Sequence, residues 1–316
     1  MKKKTLISLI ALAFPLLVSA QEKVKFMPAW TPQAQFAGYY VALENGFYAK
    51  EGLDVKIEHV GVNSTKPGIQ RMKEGEVDII TSHPIQSLIA CDTGTPVCNV
   101  CQITQNTAMM LVANEPIPSV QSLNHKKIGL WKTGFSEICE ICCIANNLEV
   151  EWVPFINGID LFISGAIDAT VAMSYNEYNS LVEATGEIPA DHVLKFSDNG
   201  YDIPEDGLYV TTDYYSTHKA AVDAFCKASK EGWMWCTEHP EEAVDIVMKY
   251  VEECGVRTNR YHQALMLQGM IDLLVNPDTG KIDFSPIKKD KYEKLIEFMV
   301  NLNYISSPVE YNAFVR

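Results

Sequence analysis

The stretch VKFMPAWTPQAQFAGYYVALENGFYAKEGLDVKIEHV, residues 24–60, decides the fold. Val24 to Pro28 is a short apolar run that reads as a strand, and Pro28, Ala29, Trp30, Thr31 and Pro32 make a proline-rich turn behind it. Phe36 to Asn45 reads as a helix, with Gly46 to stop it. Leu53 to Val60 then alternates as a second strand. Strand followed by helix followed by strand is the pattern of α/β layers.

Outward from that unit the alternation continues. A helix is expected from Ser64, a plausible cap, to Glu74, then a strand from Val77 to Thr81, a helix from Pro84 to Cys91 and a strand from Val97 to Thr104. Met109 to Ala113 stays extended, and Asn114 to Ser119, with two prolines, reads as a crossing into a second domain. The pattern restarts there, with strands at Lys127 to Trp131, Val150 to Phe155 and Asp168 to Met173. Helices at Ser136 to Asn147, Gly158 to Ser164 and Glu177 to Ala184 lie between and after them. Polar Asp198 to Asp206 reads as a return linker, and Gly207 to Thr212 as a strand that rejoins the first domain. Only helices follow, at Ser216 to Glu238, Pro240 to Cys254, Asn259 to Leu274 and Pro286 to Leu302. The expected architecture is α/β with two lobes, each a mixed, mainly parallel sheet flanked by helices, and a helical C-terminal tail. Residues 21–113 begin lobe one, 114–206 form an inserted lobe two, and 207–316 complete lobe one. Lobes joined by two crossings can close on a ligand held between them.

Composition agrees. With 47% hydrophobic and 21% charged residues the chain is neither disordered nor an integral membrane protein. Lys and Arg number 26 against 40 Asp and Glu, a formal charge of -14, which excludes nucleic acid and anionic membrane surfaces as partners. Residues 1–20 read as a secretion signal: Lys2, Lys3 and Lys4 precede an apolar run from Leu6 to Val18, and Val18, Ser19 and Ala20 offer a cleavage site before Gln21. The run is shorter than the ~20 residues of a membrane span and contains Pro15. No Cys follows the site, so lipid anchoring is not expected, and cleavage leaves 23 cationic against 40 acidic side chains.

Nine cysteines, an odd number, leave at least one thiol unpaired even in an oxidising compartment. Cys98 and Cys101 lie in an apolar strand that sends them to opposite faces, which argues against a redox or zinc pair. Cys139, Cys142 and Cys143 share a helix face without a second Cys or His pair at zinc spacing, so they read as small buried hydrophobes or an incidental bridge rather than a metal site. No metal and no cofactor is expected.

Catalytic motifs are absent: no nucleophile elbow, phosphate loop, zincin helix or dinucleotide fingerprint. Open α/β sheets bind ligands beyond the carboxyl ends of their strands. That rule nominates Trp30 after the first strand, Ser82 and His83 after the third, Phe135 and Ser136 after the first strand of lobe two, and Tyr175, Asn176, Glu177 and Tyr178 after its third. Trp30, Tyr175 and Tyr178 offer flat walls to a planar ligand, with Asn176 and Glu177 as hydrogen-bonding partners. Ser136 and Glu137 also suit the helix start as caps, and Glu137 opposes an anion there.

Trp30-Thr31-Pro32, Phe36-Ala37-Gly38-Tyr39-Tyr40, Glu44-Asn45-Gly46-Phe47-Tyr48 and Glu51-Gly52-Leu53-Asp54-Val55 together resemble the opening of periplasmic binding proteins for thiamine-pyrimidine precursors and alkanesulfonates. Gly75-Glu76-Val77-Asp78, the segment Ser122 to Gly129 and the segment Ser164 to Ala169 resemble later landmarks of that family, so the likeness spans residues 24–255. It implies a type II two-lobed fold, a periplasmic location, and capture of a small molecule for an ABC permease and ATPase. A monomer is the expectation. Trp30 matches the family's first-strand tryptophan, Tyr175 and Asn176 its aromatic-Asn segment, and Glu177 stands near its acidic ligand. An aminopyrimidine, of the formylamino or hydroxymethyl type, is the expected ligand; a sulfonate or nitrate-like anion is the alternative. The superfamily also includes a synthase that makes the thiamine pyrimidine from pyridoxal phosphate. Where it has a lysine and a histidine this chain has Ser82 and Gln86, and Ile203 to Gly207 lacks its cysteines, so no catalysis is expected.

Overall fold

The computed structural model describes residues 21–62, 65–132, 135–156 and 158–316. The secretion segment, the Ser64 cap and Thr133 and Gly134 lie outside the described residues. Strand β1 (Glu22–Met27) buries Val24 and Phe26 and leaves Lys23 and Lys25 in water, the two-residue period of a half-covered strand. It pairs in parallel with β2 (Leu53–Ile57) and β3 (Ile79–Ser82), with Val24 opposite Val55 and Phe26 opposite Ile79. β4 (Val97–Gln102) lies at the far edge. The slot between β3 and β4 is filled from much further along the chain by β10 (Gly207–Thr211), antiparallel to both.

Lobe two repeats the plan. β6 (Lys127–Trp131) pairs in parallel with β7 (Glu151–Phe155) and β8 (Ala169–Met173), and β5 (Met109–Ala113) runs antiparallel between β8 and β9 (Val193–Lys195). Each lobe is thus a five-stranded mixed sheet with one inverted strand. The crossing expected at 114–119 lies earlier: Met109–Ala113 pairs with β8 and β9, so the chain changes lobe before β5. An all-buried apolar run fits either sheet, and only pairing decides which. β9 was not expected, because three residues are too few to show a period.

Helices cover the sheets: α1 (Ala37–Glu44), α2 (Phe47–Lys50), α3 (Gly68–Lys73) and α4 (Pro84–Asp92) in lobe one, α5 (Glu137–Ala145), α6 (Asp160–Ile163) and α7 (Glu177–Thr185) in lobe two. Cys139, Cys142 and Cys143 are buried on α5. The tail adds α8 (Thr212–Glu238), kinked at His218, then α9 (Pro240–Glu253), α10 (Arg260–Leu274) and α11 (Lys289–Asn301). α8 crosses α1 at glycines: a methyl group on Gly232 would sit 2.0 Å from the Gly38 carbonyl oxygen, and one on Gly38 would sit 2.4 Å from the Trp233 ring. Among the described residues no helix is long and apolar enough to cross a membrane.

The two crossings, residues 103–108 and 196–206, are stitched together. The Thr107 hydroxyl and the Ala108 N–H donate to buried Glu205, the latter at 3.1 Å, and Thr107 N donates to Asp202 Oδ1 at 3.1 Å. Lys291 of α11 clamps both: its Nζ donates to Gln105 O and Asn106 Oδ1 at 2.7 Å and to Asp202 Oδ2 at 2.6 Å.

Candidate functional site: the cavity between the lobes

Because β3 ends where α4 begins, His83 is delivered to the edge of sheet one, and the corresponding step from β8 to α7 delivers Tyr175, Asn176 and Glu177 from sheet two. Between these edges lies a cavity of about 660 Å3. Of the residues nominated by the strand-end rule, Trp30, His83, Phe135, Tyr175, Asn176 and Glu177 line it. Ser82, Ser136 and Tyr178 do not. Ser82 is buried in register with Gly207, with its hydroxyl 3.4 Å from the His83 carbonyl. Ser136 turns inward to accept Trp131 N at 3.0 Å. Tyr178, one step further round α7, is half-buried against the lobe-two cluster that includes Met110, Val112 and Leu181. The expected cap role of Ser136 is also absent, since it makes no side-chain capping bond.

The lobes touch across the cavity. The His83 ring of lobe one stands edge-on to Phe135 of lobe two with centroids 4.7 Å apart. Phe135 itself has φ 68°, in the left-handed region, and so aims its ring from a conformation few bulky residues adopt. His83 Nε2 lies 3.3 Å from Asp206 Oδ1. Burial opposes a charge on this imidazole, but the Asp206 carboxylate, backed by Glu205 and Glu137, outweighs it and holds the His83 pKa above its ordinary value. Asp206 Oδ2 accepts from Gln35 Nε2 at 2.9 Å, and Gln35 Oε1 from Gln33 Nε2 at 2.6 Å, so an amide chain joins the cavity to the buried carboxylate. On the other side Glu177 accepts Met173 N at 3.0 Å and Asn176 Nδ2 at 3.0 Å. Burial pushes its carboxyl up to about 6 in spite of the backbone donors.

Several lining residues were not expected from the sequence. Gln33 and Gln35 sit in the same turn as Trp30, and the strand-end rule extended by a few residues would have included them. Trp131 ends β6 and is reachable by the same logic. Arg257, His262, Gln263 and Met266 come from α10 and the loop before it, which follow no strand. Nothing in their spacing distinguishes them from a solvated tail helix. Among the described residues the carboxylates Asp160, Glu177 and Glu183 line the cavity with the guanidinium of Arg257. Aromatic walls with convergent amides and a net negative lining suit a flat ring bearing N–H donors.

The chain is similar in sequence and fold to known proteins. The formylaminopyrimidine-binding protein of Halalkalibacterium halodurans is 26% identical over 300 residues, covering 92% of this chain and 88% of that relative. The riboflavin-binding protein RibY of Chloroflexus aurantiacus is 24% identical over 295 residues, covering 92% and 83%. In fold, the chain matches the crystal structure of the periplasmic aliphatic sulphonate-binding protein SsuA from Escherichia coli with TM-score 0.70, 12% identity and coverage of 93% and 92%. A family described as NMT1/THI5 like matches residues 33–243, and with two thirds of its length inside that match the chain belongs to the NMT1/THI5-like family.

Proposed function

We propose that this protein captures a small planar, amino-substituted heterocycle of the thiamine-pyrimidine type by lobe closure and delivers it to an ATP-driven importer in the periplasm. The observation that carries the reading is the cavity itself. Trp30, Phe135 and Tyr175 provide flat surfaces, and Glu177, fixed by Asn176 and the Met173 N–H, provides an acceptor for ring amino groups. The relative named for formylaminopyrimidine supports the same ligand class. A sulfonate fits poorly, since three lining carboxylates face one arginine. The synthase reading is also disfavoured, because Ser82, at the position of that enzyme's lysine, is buried in sheet pairing away from the cavity.

A second reading has one observation in its favour. At about 660 Å3 the cavity lies within the range that takes multi-ring ligands as well as single rings. A larger fused ring, as the name of the riboflavin-binding relative suggests, would fill it better. Calorimetric titration of protein stripped by unfolding and refolding separates these. Micromolar binding of a hydroxymethyl- or formylamino-pyrimidine, about -8 kcal/mol, is the expected result. Heat with riboflavin alone would move the ligand class to flavins, and heat with only a short alkanesulfonate would reject both rings.

A further inference from the structure

Asn176 stands at the N-cap of α7, where an asparagine ordinarily accepts a backbone N–H from the first turn, yet it makes no capping bond. Its amide is directed elsewhere. Nδ2 donates to Glu177 Oε1 at 3.0 Å, and Oδ1 stands 3.0 Å from His262 Nε2. An ionised carboxylate only accepts, so Glu177 fixes which way the Asn176 amide points, and Oδ1 then requires the proton of His262 to be on Nε2. The remaining ring nitrogen, Nδ1, faces Glu183 Oε1 at 3.6 Å.

These partners belong to different lobes. α10, which carries His262, is seated on lobe one, where the next residue, Gln263, accepts Ala34 N through Oε1 at 2.6 Å. Asn176, Glu177 and Glu183 belong to lobe two. Two turns along α10 the helix meets the same segment again: a methyl group on Gly269 would lie 2.7 Å from Tyr175 Cβ. His262, Asn176, Glu177 and Glu183 all line the cavity. The His262 side chain is largely buried where it meets Asn176.

We infer that His262 is a positioning residue: across the closed lobes its Nε2–H holds the Asn176 amide in the orientation that presents Glu177 to the ligand. This deepens the proposed function and rests on the cavity being the ligand site. Without that donor only the Glu177 contact holds the Asn176 amide, in competition with the backbone N–H groups at the start of α7 that an N-cap asparagine ordinarily takes. Glu177 then loses a partner. Lobe closure and the acceptor that recognises the ring are in this way one event, since the donor arrives from the opposite lobe.

The test compares H262L and H262Q with wild type, with circular dichroism to establish that each is folded. Binding of 4-amino-5-hydroxymethyl-2-methylpyrimidine is measured by calorimetry, and the Glu177 carboxyl is followed by 13C NMR through its titration, with E177Q to assign the signal. H262L is expected to bind at least tenfold more weakly and to raise the Glu177 titration, because the carboxylate has lost a donor. H262Q, whose amide N–H reaches the same oxygen, is expected to restore most of both. Unchanged binding in H262L overturns the inference. So does weakened binding with an unmoved Glu177 titration, or an H262Q as impaired as H262L, either of which would leave His262 as packing only. If the wild type ignores this pyrimidine, the ligand proposal fails, and the Glu177 titration still decides the relay.

Discussion

At the residue scale, Trp30 and His59 illustrate two separate demands on side chains. Trp30 is half-buried on the cavity wall, and truncating it to Ala is expected to weaken ligand binding at least tenfold, about 1.4 kcal/mol, if the ring stacks there. Calorimetry checks this, and an unchanged affinity removes Trp30 from the site. His59 serves stability. It is buried against Tyr40, whose hydroxyl lies 2.8 Å from Nε2, and burial lowers its pKa to about 4. The unfolded chain therefore binds the extra proton first as pH falls below about 6.5, so folding stability drops between about 6.5 and 4 and levels off below. By pH 5 the loss should reach about 2 kcal/mol, and urea midpoints of wild type and H59Q should converge on acidification. Glu177 has the opposite sign for stability, since a carboxyl raised to about 6 favours the folded state below its unfolded pKa and loses that advantage as pH rises through 6. At this scale Trp30, His83 and the segment from Tyr175 to Glu177 were legible because strand ends converge on clefts. Ser82, Ser136 and Tyr178 were not, because the rule places a backbone position and leaves the direction of the side chain open. For Tyr178 a single helical step of about 100° turned the ring away from the cavity and against the lobe-two cluster.

At the element scale, close packing sets the tolerances. Gly232 lets α8 cross α1 with backbone against backbone, and G232A must push a methyl into the Gly38 carbonyl. A cost of about 1–3 kcal/mol or more is expected, read as a lowered melting temperature with the ligand site otherwise intact. The same crossing explains why α8 was legible only as a long helix. Its amphipathic period announces a buried face, whereas the partner of that face depends on two glycines far apart in sequence. The strands of the βα steps were the most readable elements, their apolar runs being bounded by turns. β5 reads from sequence as an extended segment of lobe one, whereas it pairs in the sheet of lobe two. Its all-buried run carries no face preference, and the ladder to Ala169–Met173 that fixes its place is a contact between distant parts of the chain.

At the scale of the whole molecule the two-lobed plan was legible, and the clamp on its hinge was not. Lys291 is one of several cations in the run 288–294 and nothing in the sequence sets it apart, yet it holds both crossings at once. K291M removes three charge-assisted bonds and should leave the lobes freer to separate. Small-angle scattering is expected to show a larger radius of gyration for unliganded K291M than for wild type, with ligand release accelerated; equal radii and release rates would show that the clamp does not set the hinge. The placement of β10 has a further consequence, for the order in which the chain is made. β3 and β4 leave the ribosome early, but the strand that belongs between them begins at Gly207, after the whole of the second sheet has been synthesised. Through that interval the first sheet has two open edges and cannot close, whereas residues 109–195 already contain every strand of the second. A nascent chain so arranged would hold every strand of its second sheet before it held every strand of its first, although the first begins nearer the amino terminus.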